Sequence, residues 1–85
     1  MSVHELKTTP VYFRAIVSGR KTFEVRKNDR GYRFGDTLRL REWNAEADEY
    51  TGREIAKIVS YVLTDDFPGL QPGWVAMGFK SEGMT

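Results

Sequence analysis

The segment Lys21-Thr22-Phe23-Glu24-Val25-Arg26 alternates polar with apolar side chains and sets one carboxylate among cations. On a strand, a period of two sends Thr22, Glu24 and Arg26 to one face and Phe23 with Val25 to the other. With Lys21 at its mouth, the polar face offers donors, an acceptor and a positive field within one small area. A nucleotide needs that mixture. Arg and Lys bind phosphate oxygens, a carboxylate accepts from an exocyclic amine such as that of cytosine, and neighbouring aromatic rings stack on the base. Tyr32, Phe34, Trp43 and Trp74 are the candidate platforms. The same residues also suit a plainer arrangement, in which Glu24 and Arg26 form exposed cross-strand ion pairs contributing under about 1 kcal/mol.

Other chemistry is scarce. His4 is the only histidine and there is no cysteine, so a zinc site would rest mostly on carboxylates, and neither a metal nor a cofactor is expected. No GxxxxGK[ST] loop or GxSxG elbow occurs. A Ser-His-Asp triad would have to recruit His4, which reads better as a partly buried strand residue with a satisfied ring. The lack of cysteine excludes a disulfide frame and a thiolate nucleophile, and fits the reducing cytoplasm, the expected location. The opening MSVHELKTTP has charges by residue 5 and no apolar stretch, and no run of about 18 apolar residues follows, so neither an export signal nor a membrane span is expected.

The net charge of +1 conceals a polarised chain. Residues 20–41 carry eight cations against three acids, and residues 42–54 carry five acids against one cation. Either the two segments pair as neighbouring strands and neutralise each other, or the first turns a basic face to an anionic ligand.

The elements that position these residues follow from spacing. Val3–Lys7 is a short strand. Thr9 then Pro10 gives an N-cap and a first-turn proline, Gly19 supplies a left-handed stop after Ser18, and the helix between them turns Phe13, Ile16 and Val17, with Tyr12 beside them, to the core. Thr22–Arg26 is a strand with Phe23 and Val25 facing in, and residues 27–34 form a loop. Thr37–Trp43 is a strand with Leu38 and Leu40 inward and Arg39 and Arg41 outward. A hairpin at residues 44–49 leads to a long strand, Tyr50–Leu63, with Ile55, Val59, Tyr61 and Leu63 on one side, Ala56, Ile58 and Val62 on the other, and a bulge near Gly52. A Pro- and Gly-rich loop at residues 65–73 precedes a last strand, Trp74–Phe79, and residues 81–85 read as a frayed tail. At 85 residues, only one core is affordable, so the chain is expected to be one α+β domain over residues 1–85. The order β-α-β-β-β-β in so short a chain predicts a small, closed or nearly closed β-barrel, which hides sheet edges.

Residues 4–42, HELKTTPVYFRAIVSGRKTFEVRKNDRGYRFGDTLRLRE, closely resemble the ASCH domains of the PUA-like superfamily. The carrying motif is a helix ending in SGRKTFEVR, then GD opening the strand TLRLRE, with EYTGREI and GWVAMGF completing the likeness to a compact single-domain branch. The resemblance implies a five- to six-stranded, mixed β-barrel with one short helix after the first strand closing one side, and a cleft between helix and barrel. It also implies RNA or nucleotide binding, with Lys21, Glu24 and Arg26 lining the cleft, Thr22 as a neighbour, and Gly19 and Gly35 as turn formers. Lys27, Arg30, Arg39 and Arg41 extend the expected basic ligand-binding surface. Some ASCH proteins are ribonucleases, and an amidohydrolase branch removes the acetyl group from N4-acetylcytidine. That branch uses a lysine matching Lys21 and a threonine three places on, a position held here by Glu24, and residues 65–73 have no room for the helical insertion bearing its later glutamate. A hydrolase built on Lys21 and Glu24 is therefore the alternative to a binding module.

Overall fold

The computed structural model describes residues 1–82. Its elements are β1 (Val3–Thr8), α1 (Pro10–Val17), β2 (Phe23–Lys27), β3 (Thr37–Asn44), β4 (Glu49–Leu63) and β5 (Trp74–Ser81). The helix starts where the sequence places it. Thr9 is extended, and Pro10 occupies the first turn, where a backbone N–H has no intrahelical partner to lose. After the Ser18 C-cap, Gly19 takes φ 81°, a left-handed conformation that a Cβ would oppose.

The strands form one mixed sheet in the order β1-β3-β4-β5-β2. β1 runs parallel to β3, with Leu6 across from Leu40, and the remaining neighbours are antiparallel. A parallel pair needs a crossover, which α1 and β2 supply. The sheet curls into a half-barrel, with α1 after the first strand packed against β3. Its concave face gathers Leu6, Leu38, Leu40, Val59, Val75, Met77 and Phe79 with Ile16 and Tyr32. Burying each large aliphatic side chain contributes about 1.5–3 kcal/mol.

Two irregularities bend β4. Arg41 pairs with Glu54 but Trp43 with Tyr50, so Glu42 faces Thr51, Gly52 and Arg53, and Gly52 sits in this bulge at φ 94°, as its place in the sequence predicts. A second shift, between Val59 and Tyr61 against β5, keeps Val59 inward and turns Tyr61 out to solvent. Tyr61 therefore does not share the inner face with Val59 as expected, because the bulge resets the alternation.

The largest correction concerns β2. Phe23 and Val25 are 49% and 45% exposed, whereas Glu24 is 4% exposed and faces inward with Arg26. Alternation fixes the period of a strand but not which face is inside. Here the partner decides: Phe23 lies across from Gly78 and Val25 across from Ala76, small residues on the outer side of β5, while Glu24 and Arg26 lie across from Met77 and Val75 on its inner side. Helix α1 is also narrower than expected, burying Phe13 and Ile16 but leaving Tyr12 and Val17 exposed, since an eight-residue helix packs only a thin stripe on the sheet. Ser81 belongs to β5, where its hydroxyl pairs with the Lys57 ammonium at 3.0 Å, and Glu82 follows in a turn; the rest of the expected frayed tail, residues 83–85, lies outside the described residues.

Candidate nucleic-acid interface

β1 and β2 are the edges of the sheet, and side chains rather than a backbone ladder join them. The Arg26 Nη2 donates to the Lys7 carbonyl at 2.7 Å, and the Arg30 Nη1 to the Glu5 carbonyl at 2.8 Å. These guanidiniums occupy edge acceptors that would otherwise invite another strand. Between the edges lies a cleft of about 660 Å³, walled by the end of β1, by Tyr12 of α1 and by β2, with Tyr32 and Trp74 among its lining. Lys7, Lys21, Arg26, Lys27 and Arg30 line it against Glu24 and Asp29, an excess of cations.

Local chain geometry places Lys21. Beyond the left-handed Gly19, the amides of Arg20 and Lys21 both return to the Ala15 carbonyl at 3.0 Å, tying Lys21 to the end of α1. Its ammonium donates to the Phe23 carbonyl at 2.6 Å and to Glu24 Oε1, while Arg26 Nε donates to Glu24 Oε2 at 2.8 Å. The Glu24 side chain is 5% exposed, against 16% for Lys21 and 28% for Arg26. A nearly buried carboxylate is thus held between two cations that still reach the cleft, and the cluster keeps a net positive charge. The Lys21 Nζ also lies 5.3 Å from the Tyr12 ring centroid and 5.0 Å from that of Phe23, so two half-exposed rings flank the ammonium.

The structure brings together Lys21, Glu24, Arg26, Lys27 and Arg30 of the sequence-derived set. Thr22 is exposed and outside the cleft lining; its carbonyl accepts the Phe79 amide at 3.0 Å. Arg39 and Arg41 are elsewhere, on the outer face of β3. Arg39 forms a paired-donor contact with Glu54 at 2.9 Å and reaches Glu5 at 2.6 Å, and Arg41 approaches Glu54 at 3.3 Å. The hydrogen bond and charge of Arg39 hold the Glu54 carboxyl below its usual range. The acidic and basic segments therefore neutralise each other here, while the earlier half of the basic segment stays at the cleft.

The proposed stacking platforms divide likewise. Tyr32 is buried in the core, Phe34 is exposed outside the cleft lining, and Trp43 packs edge-on to Tyr50 at 4.9 Å. Trp74 alone of the four combines partial exposure with a place in the cleft, and Tyr12 and Phe23 join it. Sequence reasoning assigned both of these rings to the core. Tyr12 sits beside, not within, the Phe13–Ile16 stripe, and that offset is the signal that marks it as accessible.

Behind the cleft, the GD turn fixes the start of β3. The Asp36 carboxylate accepts from the Ser2 amide at 3.1 Å, the His4 Nε2 at 2.9 Å and the Arg33 amide at 3.0 Å. Desolvation pushes the Asp36 carboxyl up, but these three donors outweigh it and hold its pKa below the usual aspartate value. The His4 ring, satisfied as expected and more fully buried, meets Tyr32 edge-on at 4.8 Å, and burial raises the Tyr32 phenol. This chain of contacts supports the Tyr32 wall of the cleft. Among the described residues no three His, Asp or Glu side chains gather into a metal-binding group, and no helix is long and apolar enough to cross a membrane.

Fold and site together define a small α+β half-barrel whose open seam is a cation-lined cleft. The chain belongs to the family described as a domain of unknown function, DUF3850, which it matches over residues 3–79. It is also similar to the uncharacterized 12.9 kDa protein in the GpA 3′ region of Escherichia phage P2, with 43% identity over 53 residues, 62% of this chain and 47% of that protein. The chain spans about half the length of the curated relative it matches.

Proposed function

We propose that this is a PUA-like, ASCH-type module that binds RNA or a nucleotide in the cytoplasm, with the cleft between β1 and β2 as its site. The observation that carries the reading is the Lys21–Glu24–Arg26 cluster on the floor of that cleft, where two cations share one buried carboxylate. Cations in excess along one concave seam attract phosphate, and flanking rings provide π-faces for bases. Lys21 is committed as a donor to Glu24 and to the Phe23 carbonyl, an arrangement that favours binding over proton abstraction. The test is fluorescence anisotropy of labelled single-stranded RNA across a salt series, with the RNA then run on a denaturing gel. Affinity that falls as salt rises, weakened by Lys21→Ala, is the expected result, because phosphate contacts release counterions. Binding that ignores salt overturns the reading. Shortened RNA that disappears with Lys21→Ala replaces it with the hydrolase.

A further inference from the structure

Within the Lys21–Glu24–Arg26 cluster, the groups that reach the cleft are mainly donors. Glu24 is the one carboxylate in the cluster, its side chain is 5% exposed, and each of its oxygens already accepts from a cation. Lys21 uses its ammonium on Glu24 and the Phe23 carbonyl, which leaves one of three N–H donors uncommitted. Arg26 uses Nε and one Nη2 hydrogen, leaving the remainder of its fork for a ligand. Glu24 therefore positions two donors, and these face the cleft more than the 5% exposed carboxylate does. The exposed rings of Tyr12 and Phe23 both lie near the Lys21 ammonium, their centroids at 5.3 Å and 5.0 Å from it. Lys27 and Arg30 lie further along the cleft, Lys27 four residues down β2 from Phe23, about 13 Å at the rise of a strand.

We propose that the cleft selects an unpaired base by its keto oxygen: uracil or guanine, seated between Tyr12 and Phe23 with the oxygen directed at Lys21, in preference to cytosine or adenine. This rests on the nucleic-acid reading above and adds to it what the site distinguishes. Phosphate goes to the Lys27 and Arg30 end, so the sugar points that way, and the base edge furthest from the sugar reaches the floor. That edge carries oxygen in uracil and guanine and an amine in cytosine and adenine. An amine there would set donor against donor, because the Glu24 carboxylate is 5% exposed beneath the two cations, and a desolvated donor left unpaired is what gives such sites their selectivity. A base inserted between two rings must be out of a duplex, so the ligand is single-stranded.

The experiment compares anisotropy titrations of oligouridylate and oligocytidylate of equal length in the same low-salt buffer. The phosphates are identical, so only the bases differ. Oligouridylate is expected to bind about ten-fold more tightly, the discrimination of one good charged hydrogen bond. Equal affinity, or a preference for oligocytidylate, overturns the proposal and leaves the nucleic-acid reading standing; failure of both to bind overturns both. Lys21→Met, checked for fold by circular dichroism, is expected to bring the two affinities together, and an unchanged ratio overturns the role of Lys21. A probe-side comparison needs no altered protein: one inosine against one adenosine at the centre of an otherwise identical oligocytidylate. The inosine oligomer is expected to bind more tightly, and parity overturns selection by the keto group.

Discussion

Glu24 lies directly across from Met77 in the β2–β5 register, so a carboxylate shares the inner face of the half-barrel with a fully buried thioether. It is stable there because Lys21 and Arg26 both donate to it. Glu24→Ala removes the shared counter-charge from two part-buried cations. The expected cost is about 1–3 kcal/mol, less than for a fully buried pair because both cations keep some contact with water. Val25→Ala, on the outer face, is expected to cost under about 1 kcal/mol. Urea unfolding midpoints decide the matter, and an unshifted midpoint for Glu24→Ala would mean that the carboxylate does not hold the cations in place.

Phe23 supplies the complementary test of which face is inside. Since its ring is half-exposed beside Lys21, Phe23→Asp is expected to stay folded, with its circular dichroism spectrum retained. RNA affinity is expected to fall about ten-fold or more, through the loss of a stacking face and the gain of a negative charge beside phosphate. A chain that unfolds on this substitution would place Phe23 in the core and reverse the assignment of the cleft floor.

The order of elements was legible because its signals are local. Thr9-Pro10 and Gly19 bound the helix, Gly52 marks the bulge, and Leu38 and Leu40 identify the inner face of β3, all without reference to distant residues. The orientation of β2 was not legible, because its alternation is symmetric and the choice of face depends on Gly78 and Ala76, more than fifty residues away. The site inherits that distinction. Lys21, Glu24, Arg26, Lys27 and Arg30 are close in sequence and converge in space, whereas Arg39 and Arg41 belong to the same basic segment but face Glu54, an acid that only the β3–β4 register brings opposite. Tyr12 was assigned to the core because a helix wheel shows which residues share a side but not how wide a stripe the sheet covers.

Asp36 gives the fold an acid limit. Its carboxyl is held below the usual aspartate value by the Ser2, His4 and Arg33 donors, so on acidification the unfolded chain takes up a proton before the folded one does. This contribution to stability is complete above the unfolded value of about 3.9 and is lost as the pH falls through the lower folded value. Asp36→Asn is expected to lower stability at neutral pH and to flatten the decline below about pH 4. Chemical unfolding across an acid pH series measures both, and an equally steep decline in the variant would assign the acid limit to other carboxylates.

Arg39 and Arg30 contrast a cation held between two acids on the outer face with one at the cleft, where, among the described residues, only the Asp29 carboxylate approaches it, at 3.9 Å. Arg39 sits on the outer face in a network with Glu5 and Glu54, whereas Arg30 lines the cleft and spans its two edges through the Glu5 carbonyl. Exposed ion pairs contribute little to folding, so Arg39→Ala is expected to leave the unfolding midpoint nearly unchanged. The same substitution should leave the slope of log affinity against log salt for single-stranded RNA as it is. For Arg30→Ala that slope is expected to shrink by about 0.7, the counterion release of one phosphate contact on a single strand. Should Arg39→Ala reduce the slope while Arg30→Ala does not, the RNA would follow the outer face of β3, and the cleft would no longer account for the charge that binds it.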